Sequence, residues 1–339
     1  MPDLSPQVAG RRPLASVALA ASLLLLGCQP APAGPGPDAT APAAADAASD
    51  ATTVGPPPHG RFVPPGTATL AYPTRAASAE DGVVYLSDPE AGAVFGYRDG
   101  RRVAELAELD RPLGVAVHGR RLFVGCAGRG AVEVYDLDAR AWVVDLGGGL
   151  GEVTRPNAIA VAPDGVIYVA DSDADLVAVF AADGYARVGS LGGPGELRFP
   201  VAVAVDATRV VVADQGHHRL RLYDRAGAPI ASLGREVPLS STSKLDFRGG
   251  FTRLQGVALW QGEIFALDAH HGHVQVLDRD GAWRAVLGRR GACPTCVDLP
   301  LDVQVAASGH VIVTDPERQR WVDLGPAAEG DRAGVQEAP

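Results

Sequence analysis

Short apolar runs, each broken by glycine, proline or aspartate, alternate along most of the chain. Residues 200–234 contain four of them: PVAVAVD, RVVVAD, RLRLYD and PIASLG. The third run alternates polar and apolar residues, as a half-buried strand does, whereas the first is almost entirely apolar, as expected of a strand covered on both faces. Valine-rich runs bounded by turn residues predict strands, and glycine clusters interrupt every candidate helix. The pattern therefore predicts an all-β protein.

This four-run unit repeats six times. Each copy has an apolar run that ends at an anchor residue, then a turn and a second apolar run, as in RVVVADQGHHRLRLYD at 209–224. The anchors are Asp88, Cys126, Asp171, Asp214, Asp268 and Asp315. Four-stranded antiparallel units repeated at about this period form a β-propeller. The sequence thus predicts a six-bladed β-propeller.

The closure of the ring is also predicted. The sixth unit supplies only three runs before the end of the chain, whereas TATLAYP at residues 67–73 resembles the outer strands of the other units, such as IASLG and RAVLG. We expect this N-terminal strand to close the last blade, because a completed blade leaves no open sheet edge to invite aggregation.

The start of the chain carries a targeting signal. Arg11 and Arg12 precede an apolar run at residues 14–26, which is too short for a comfortable membrane span. The LLGC that follows resembles a bacterial lipoprotein signal; an ordinary secretory signal is the alternative. The resemblance implies that residues 1–27 are removed and Cys28 is lipidated. Gln29 follows Cys28, which favours the outer membrane, so an extracytoplasmic, lipid-anchored location is expected.

The segments that flank the repeats have a different composition. Residues 28–60 are rich in alanine, proline and glycine and lack the apolar volume to form a core, which predicts a disordered tether with a span of about 30 Å. Residues 326–339 are predicted to be a disordered tail, which leaves 61–325 for the propeller. The net charge of −10 argues against nucleic-acid binding, and we expect a monomer.

The repeats resemble NHL repeats. The resemblance is carried by Pro200 before an apolar strand, by VVVADQGHHRLRLYD and by Gly227 with the SLG that ends the unit; RPNAIAVAPDGVIYVADSDADLVAVF at 155–180 is a second copy. It extends over about residues 72–324. The family resemblance implies a six-bladed NHL-like propeller with its loops available for function.

Histidines of two neighbouring units form the first candidate site. The turn between the second and third strands lies on the same face of a propeller in every blade, so these residues share a face: His217, His218, His270, His271, His273 and Asp268. Imidazole and carboxylate groups suit zinc or a similar divalent ion. The alternative is that these are ordinary turn residues, with the repeated aspartate accepting N–H groups of its own turn.

The mouth of the central channel is the second candidate site. Four polar residues enter the inner strands there: Arg75, Asn157, Gln255 and Asp302. Arg75 and Asp302 should be neighbours across the closure, either as a structural ion pair or as a ligand clamp. Peptide-amidating lyases, which the fold resembles, hold zinc with axial histidines, and none stands at these positions. Gluconolactonase-like propellers use Glu, Asn and Asp for a divalent metal; Asn157 and Asp302 match two of the three.

Cysteines and one long connection complete the candidates. Cys293 and Cys296 in CPTC should form a local disulfide outside the cytoplasm, with a redox role as the alternative, while Cys126 should be a buried thiol. The connection at residues 235–253 is the longest between units and is either a recognition loop or a tolerated insertion.

These features predict a lipid-anchored binding scaffold for a protein, peptide or glycan, attached to the membrane through Cys28. No cofactor is required for that role. The alternative is a metal-dependent hydrolase or lyase, lactonase-like or amidating-lyase-like, with a zinc or calcium ion at the channel mouth. An enzyme needs several titratable groups that converge on the axis, and only Arg75 and Asp302 do so clearly, which favours the scaffold.

Overall fold

The computed structural model describes residues 59–67, 69–241 and 247–327. Their strands form six antiparallel sheets arranged around one axis, which confirms the predicted six-bladed β-propeller. The predicted signal segment, Cys28 and nearly all of the tether lie outside the described residues. In the described part of the chain, no helix is long and apolar enough to cross a membrane.

The blades follow one another in chain order, and the inner strand of each blade faces the axis. Blade one contains β1 (Arg61–Val63), β2 (Arg75–Ser78), β3 (Val84–Asp88), β4 (Ala93–Arg98) and β5 (Arg101–Ala107). Blade two contains β6 (Pro112–His118), β7 (Arg121–Cys126), β8 (Ala131–Asp136) and β9 (Ala141–Asp145). Blade three contains β10 (Pro156–Val161), β11 (Ile167–Asp171), β12 (Leu176–Phe180) and β13 (Arg187–Gly192).

The second half of the ring repeats this arrangement. Blade four contains β14 (Pro200–Val205), β15 (Arg209–Asp214), β16 (Arg219–Asp224) and β17 (Pro229–Leu233). Blade five contains β18 (Leu254–Trp260), β19 (Glu263–Asp268), β20 (His273–Leu277) and β21 (Trp283–Leu287). Blade six contains β22 (Asp302–Val305), β23 (His310–Asp315) and β24 (Arg320–Pro326). Short 3₁₀ turns lie at Leu146–Gly148, Gln215–His217 and Pro316–Arg318.

Burial within a blade falls from the axis outwards, as the run pattern predicted. In blade four, β14 and β15 are almost wholly buried, β16 alternates, and β17 is largely exposed. The core lies between neighbouring sheets: one cluster joins Tyr168 of blade three, Val212 of blade four and Ile264 of blade five. Packing between blades therefore stabilises the ring, because a single sheet cannot bury its own faces.

The predicted closing strand is wrong. The described residues of 67–73 form no strand, and blade six has three strands in the part of the chain described. The N–H groups of Ala71 and Tyr72 instead donate to the carboxylate of Asp88, at 2.7 and 3.0 Å. These hydrogen bonds hold the segment as the lead into blade one, and Leu70 belongs to the core cluster that blade one shares with Ile312 of blade six. The N-terminal strand β1 pairs with β5 on the outer edge of blade one.

Although the predicted outer strand is absent, side-chain hydrogen bonds join blade six to the inner strand of blade one. The hydroxyl of Thr314 donates to the carbonyl of Thr74 at 2.9 Å. The N–H of Ala76 donates to Oδ2 of Asp302 at 3.0 Å. Both contacts lie at the start of β2, so the ring closes near its axis.

The propeller extends slightly beyond both predicted boundaries. Gly60 was assigned to the tether, yet it is buried, and a Cβ there would lie 2.5 Å from the side chain of Leu109. At the other end, Pro326 belongs to β24, and the N–H of the buried Ala327 donates to the carbonyl of Gly309 at 2.6 Å. The remainder of the predicted tail lies outside the described residues.

Candidate functional site

The repeated aspartates lie on what we term the upper face, where the inner strand of each blade begins. Asp171 accepts hydrogen bonds from the N–H groups of Thr154 and Arg155, at 2.6 and 2.8 Å. Equivalent contacts are made by Asp88, Asp214, Asp268 and Asp315. Asp88 and Asp268 also accept N–H groups of their own turn, as predicted, namely those of Ala91 and His270. The partners shared by all five aspartates precede the aspartate by 15 to 17 residues. Each aspartate therefore fixes the segment that leads into its blade.

The guanidinium of Arg75 fills the upper end of the central channel. Arg75 begins β2 and is only 5% exposed. Its N–H groups donate to main-chain carbonyls of four other blades, namely Asn157 (3.0 Å), Val201 (2.6 Å), Gln255 (3.0 Å) and Leu301 (2.7 Å). The inner strand of a blade has one edge without a neighbouring strand, so these carbonyls lack a sheet partner. A planar group with five donors suits them well.

Asp302 of blade six balances the charge of this arginine. Its Oδ1 lies 3.2 Å from Nη1 of Arg75, and the residue is 3% exposed. Burial raises the pKa of Asp302, while the Arg75 guanidinium opposes that shift. Of the two alternatives left by the sequence, the contacts match the structural ion pair, because the donors of the arginine are engaged within the protein.

The two amide residues predicted at the mouth contribute their main chains. The carbonyls of Asn157 and Gln255 bind Arg75, but the Asn157 side chain turns to its own blade and donates to the hydroxyl of Ser172 at 3.0 Å. Gln255 is 8% exposed. The structure thus brings Asn157, Gln255 and Asp302 together around the guanidinium of Arg75, through two main-chain carbonyls and one carboxylate.

The inner strands of all six blades line a cavity of ≈ 170 Å³ in the central channel. Its side chains are those of alanine, valine, isoleucine and leucine, with Ser78 and Gln304 as the polar exceptions. No carboxylate or imidazole is among these lining residues. General acid–base and metal chemistry use such groups, and the side chains that line this cavity are almost entirely apolar.

Three of the predicted histidines lie together on blade five. The rings of His271 and His273 stack with centroids 5.5 Å apart, and His270 lies 4.8 Å from His271. Phe247 packs against His271 at 4.1 Å, and the Thr252 hydroxyl lies 2.9 Å from Nε2 of His271. Burial lowers the pKa of His271, and it lowers the pKa of His273 to about 4. Phe247 and Thr252, which belong to the described second part of the connection at 235–253, therefore rest against the His271 ring.

The other residues of the predicted metal set make separate contacts. Both carboxylate oxygens of Asp268 accept main-chain N–H groups. On blade four, Nδ1 of His217 lies 2.8 Å from Oδ2 of Asp214, and His218 adopts a left-handed conformation with φ of 52° that ends the 3₁₀ turn. The structure therefore joins the histidines of blade five and leaves those of blade four in their own turn. Metal binding by the full set stays a prediction.

A different group of metal-type ligands converges on blade two. Among the described residues, ligand atoms of His59, Glu133 and Asp145 lie within 4.8 Å of one another, which is consistent with a divalent ion. Arg129 contacts all three. Its Nη1 hydrogen-bonds to Glu133 and lies 2.7 Å from Nδ1 of His59, and its Nη2 lies 3.3 Å from Oδ2 of Asp145. A guanidinium here supplies the positive charge that buried carboxylates require.

Two buried groups, Tyr135 and Cys126, and the partly exposed ring of Trp142 lie beside this second cluster. The Tyr135 hydroxyl donates to Glu133. Burial, reinforced by the Glu133 carboxylate, raises the pKa of both Tyr135 and Cys126, so the thiol stays protonated. His59 stacks on Trp142 with centroids 4.0 Å apart. Sequence reasoning missed the cluster because it assigned His59 to the tether; the available signal was Cys126 in place of the repeated aspartate.

Cys293 and Cys296 form the predicted disulfide. It lies between β21 and β22, in the loop that joins blades five and six on the upper face. The remaining described cysteine, Cys126, is unpaired and buried, as predicted.

The fold and its sealed axis define a six-bladed β-propeller, and comparison with known proteins supports that class. No protein-family profile matches the chain, and no curated protein matches it. A solved structure of Kuenenia stuttgartiensis hydrazine synthase is 14% identical, with a TM-score of 0.57 over 79% of this chain and 99% of that chain. A gluconolactonase from Xanthomonas campestris is 17% identical, with a TM-score of 0.56 over 79% and 95%. Virginiamycin B lyase from Staphylococcus aureus is 8% identical, with a TM-score of 0.54 over 80% and 89%. At these identities the likeness shows the fold alone.

Proposed function

We propose that this propeller is a binding module whose upper face recognises a protein, peptide or glycan. The observation that carries the proposal is the closure of the upper end of the channel by the Arg75 guanidinium, which we call the axial seal. Its donors are engaged by four carbonyls and by Asp302, and the cavity is lined without carboxylate or imidazole groups. A catalytic centre on the axis would need such groups exposed to a substrate, so binding through the loops is the better supported function.

The connection at residues 235–253 is the proposed recognition loop. Its second half is anchored to blade five, because the Gln275 side chain accepts from the N–H of Gly249 and donates to the carbonyl of Gly250. Phe247 adds the contact with His271. In the first part of the same loop, Leu239 is 72% exposed. An exposed apolar side chain on a loop whose other part is anchored suits recognition, because binding then costs less conformational entropy of the loop.

The proposal includes attachment to a membrane from outside the cytoplasm. LLGC and the apolar run before it support lipidation at Cys28. A tether over residues 28–58 would let the propeller move about 30 Å from the bilayer. That reach suits a module that binds a partner in the envelope.

Site-specific crosslinking tests the recognition surface. A photoreactive residue is placed at Leu239 of the full chain, in cells that carry the protein natively, and a matched variant carries it at Val188, which is 63% exposed on the outer strand of blade three. We expect one discrete adduct from position 239 and none from 188. Identical adducts from both positions, or none from 239, would overturn the assignment of this loop.

A metal-dependent hydrolase or lyase is the second candidate, supported by the similar fold of a gluconolactonase and a lyase. Elemental mass spectrometry of the full chain, dialysed without chelator, separates the two functions. One ion per chain that is lost in Asp302→Asn would favour an enzyme with its centre at the channel mouth. A metal-free protein that still forms the Leu239 adduct would favour the binding module.

A further inference from the structure

The CPTC loop is held in shape by its main chain as well as by its disulfide. The N–H of Gly291 donates to the carbonyl of Val297 at 3.2 Å, and the N–H of Val297 donates to that of Arg289 at 3.0 Å. Within the turn, the N–H of Cys296 donates to the carbonyl of Cys293 at 3.0 Å. None of these hydrogen bonds uses sulfur, so they can keep the two cysteines adjacent after reduction. The disulfide also closes only a very short loop and therefore removes little chain entropy.

The two sulfur-bearing residues differ in access. Cys296 is 2% exposed, whereas Cys293 is partly exposed in the same loop. A thiolate arriving from solvent would therefore reach the sulfur of Cys293 first. One accessible and one shielded cysteine, separated by two residues, can divide exchange into an attack step and a resolving step.

Arginine side chains from the next blade contact the main chain of the loop that carries the two cysteines. Arg320 donates to the carbonyl of Cys296 at 2.7 Å, and Arg318 donates to that of Gly291. Arg290 within the loop pairs with Asp298 at 3.1 Å. Asp315 lies 3.8 Å from Arg318 and 3.9 Å from Arg320, but its oxygens also bind main-chain N–H groups. The guanidinium groups of Arg318 and Arg320 thus bind main-chain carbonyls of the loop that carries both cysteines, and positive charge close to a cysteine favours its thiolate.

We propose that Cys293 and Cys296 form a thiol–disulfide exchange site that oxidises a dithiol. A substrate thiolate attacks Sγ of Cys293, the bond between the two protein sulfurs breaks, and Cys296 leaves as a thiolate. The second substrate thiolate then attacks the substrate sulfur of the mixed disulfide and releases Cys293. The substrate loses two electrons and two protons to form its disulfide, and the protein pair gains them as two thiols. This inference does not depend on what the recognition loop binds.

Equilibration with glutathione tests the proposal on the unmodified full chain. Protein is incubated at graded ratios of reduced to oxidised glutathione, quenched with acid and alkylated, and each cysteine is read by peptide mass spectrometry. We expect the pair to pass from oxidised to reduced across the series while the propeller stays folded, with Cys126 as a buried internal control. A pair that stays oxidised at every ratio, or a protein that unfolds when the pair is reduced, would identify a structural disulfide and overturn the proposal.

Two variants test the order of attack. In Cys296→Ser the accessible Cys293 should react with an aromatic disulfide reagent more than about tenfold faster than Cys296 does in Cys293→Ser. Equal rates would contradict the asymmetry on which the proposal rests. The oxidised wild type should also convert a short peptide with two cysteines to its disulfide, one peptide per chain, whereas the double serine variant should not. A faster reaction with that peptide than with glutathione at equal thiol concentration would identify polypeptides, rather than small thiols, as the substrate.

Discussion

Replacing Arg75 with methionine would test the axial seal most directly. Methionine keeps much of the side-chain volume but removes every donor, so Asp302, which is 3% exposed, would be left buried without its cation. Removing one member of a buried ion pair costs about 3–5 kcal/mol. The four carbonyls would add less than their full desolvation cost, because water could enter from the channel and replace the lost donors. For a domain of this size, such a loss should lower Tm by on the order of 10 °C.

A double-variant cycle separates the ion pair from the volume change. Asp302→Asn keeps the shape of the acceptor for the N–H of Ala76 but removes the charge, so the double variant should be more stable than the sum of the two single losses predicts. Thermal unfolding followed by circular dichroism measures all four proteins. A coupling of about 2 kcal/mol would be within the usual range for groups in contact. If Arg75→Met unfolds within about 2 °C of the wild type, or if the two losses simply add, the proposed seal is refuted.

Two further predictions concern the clusters away from the axis. Acidification from about pH 6.5 to about pH 4 should lower stability, because burial lowers the pKa of His273 to about 4, and below the pKa of an unfolded histidine the unfolded chain binds the proton more readily. His273→Asn should reduce this loss in chemical unfolding, the exposed His118→Asn should not, and equal pH profiles would contradict the argument. On blade two, Zn²⁺ should raise the Tm of Arg129→Ala but not that of the wild type, because removing the guanidinium frees His59 and its neighbouring carboxylates. A rise in the wild type that Glu133→Gln abolishes would instead indicate a native metal site.

The fold could be predicted from the sequence because each blade repeats the same pattern of apolar runs and turn residues. Apolar runs of the length of a strand, the aspartate at the end of β15 and its equivalents, and the turn after it recur along the chain. Blade count and strand order follow from that recurrence. The closure did not follow, because residues 67–73 resemble an outer strand in composition. Hydrogen bonds to Asp88 set their actual position. The pattern of apolar runs does not indicate that this side chain binds residues earlier in the chain.

The candidate sites were predictable only in part, for the same reason. Arg75 and Asp302 were expected to meet because both stand at the first position of an inner strand. The arginine also binds carbonyls of blades three, four and five. Those contacts depend on the radius of the ring, which the sequence of a single repeat does not specify. The cluster around Arg129 depends on His59 folding back against Trp142. Contacts made by residues that precede the first repeat, such as His59, lie outside the repeat, so the repeat pattern does not predict them.

The seal also explains why a shared fold says little about chemistry here. A closed ring of blades turns the unpaired edges of its inner strands toward the axis, and the carbonyls at their starts create a region that favours a positive charge. A bound cation could satisfy it, and so could a side chain. In this protein the guanidinium of Arg75 and the carboxylate of Asp302 do so from within the chain. Chemistry that acts on another molecule would therefore be expected in the loops of the upper face, where the exposed Leu239 and the partly exposed Cys293 lie.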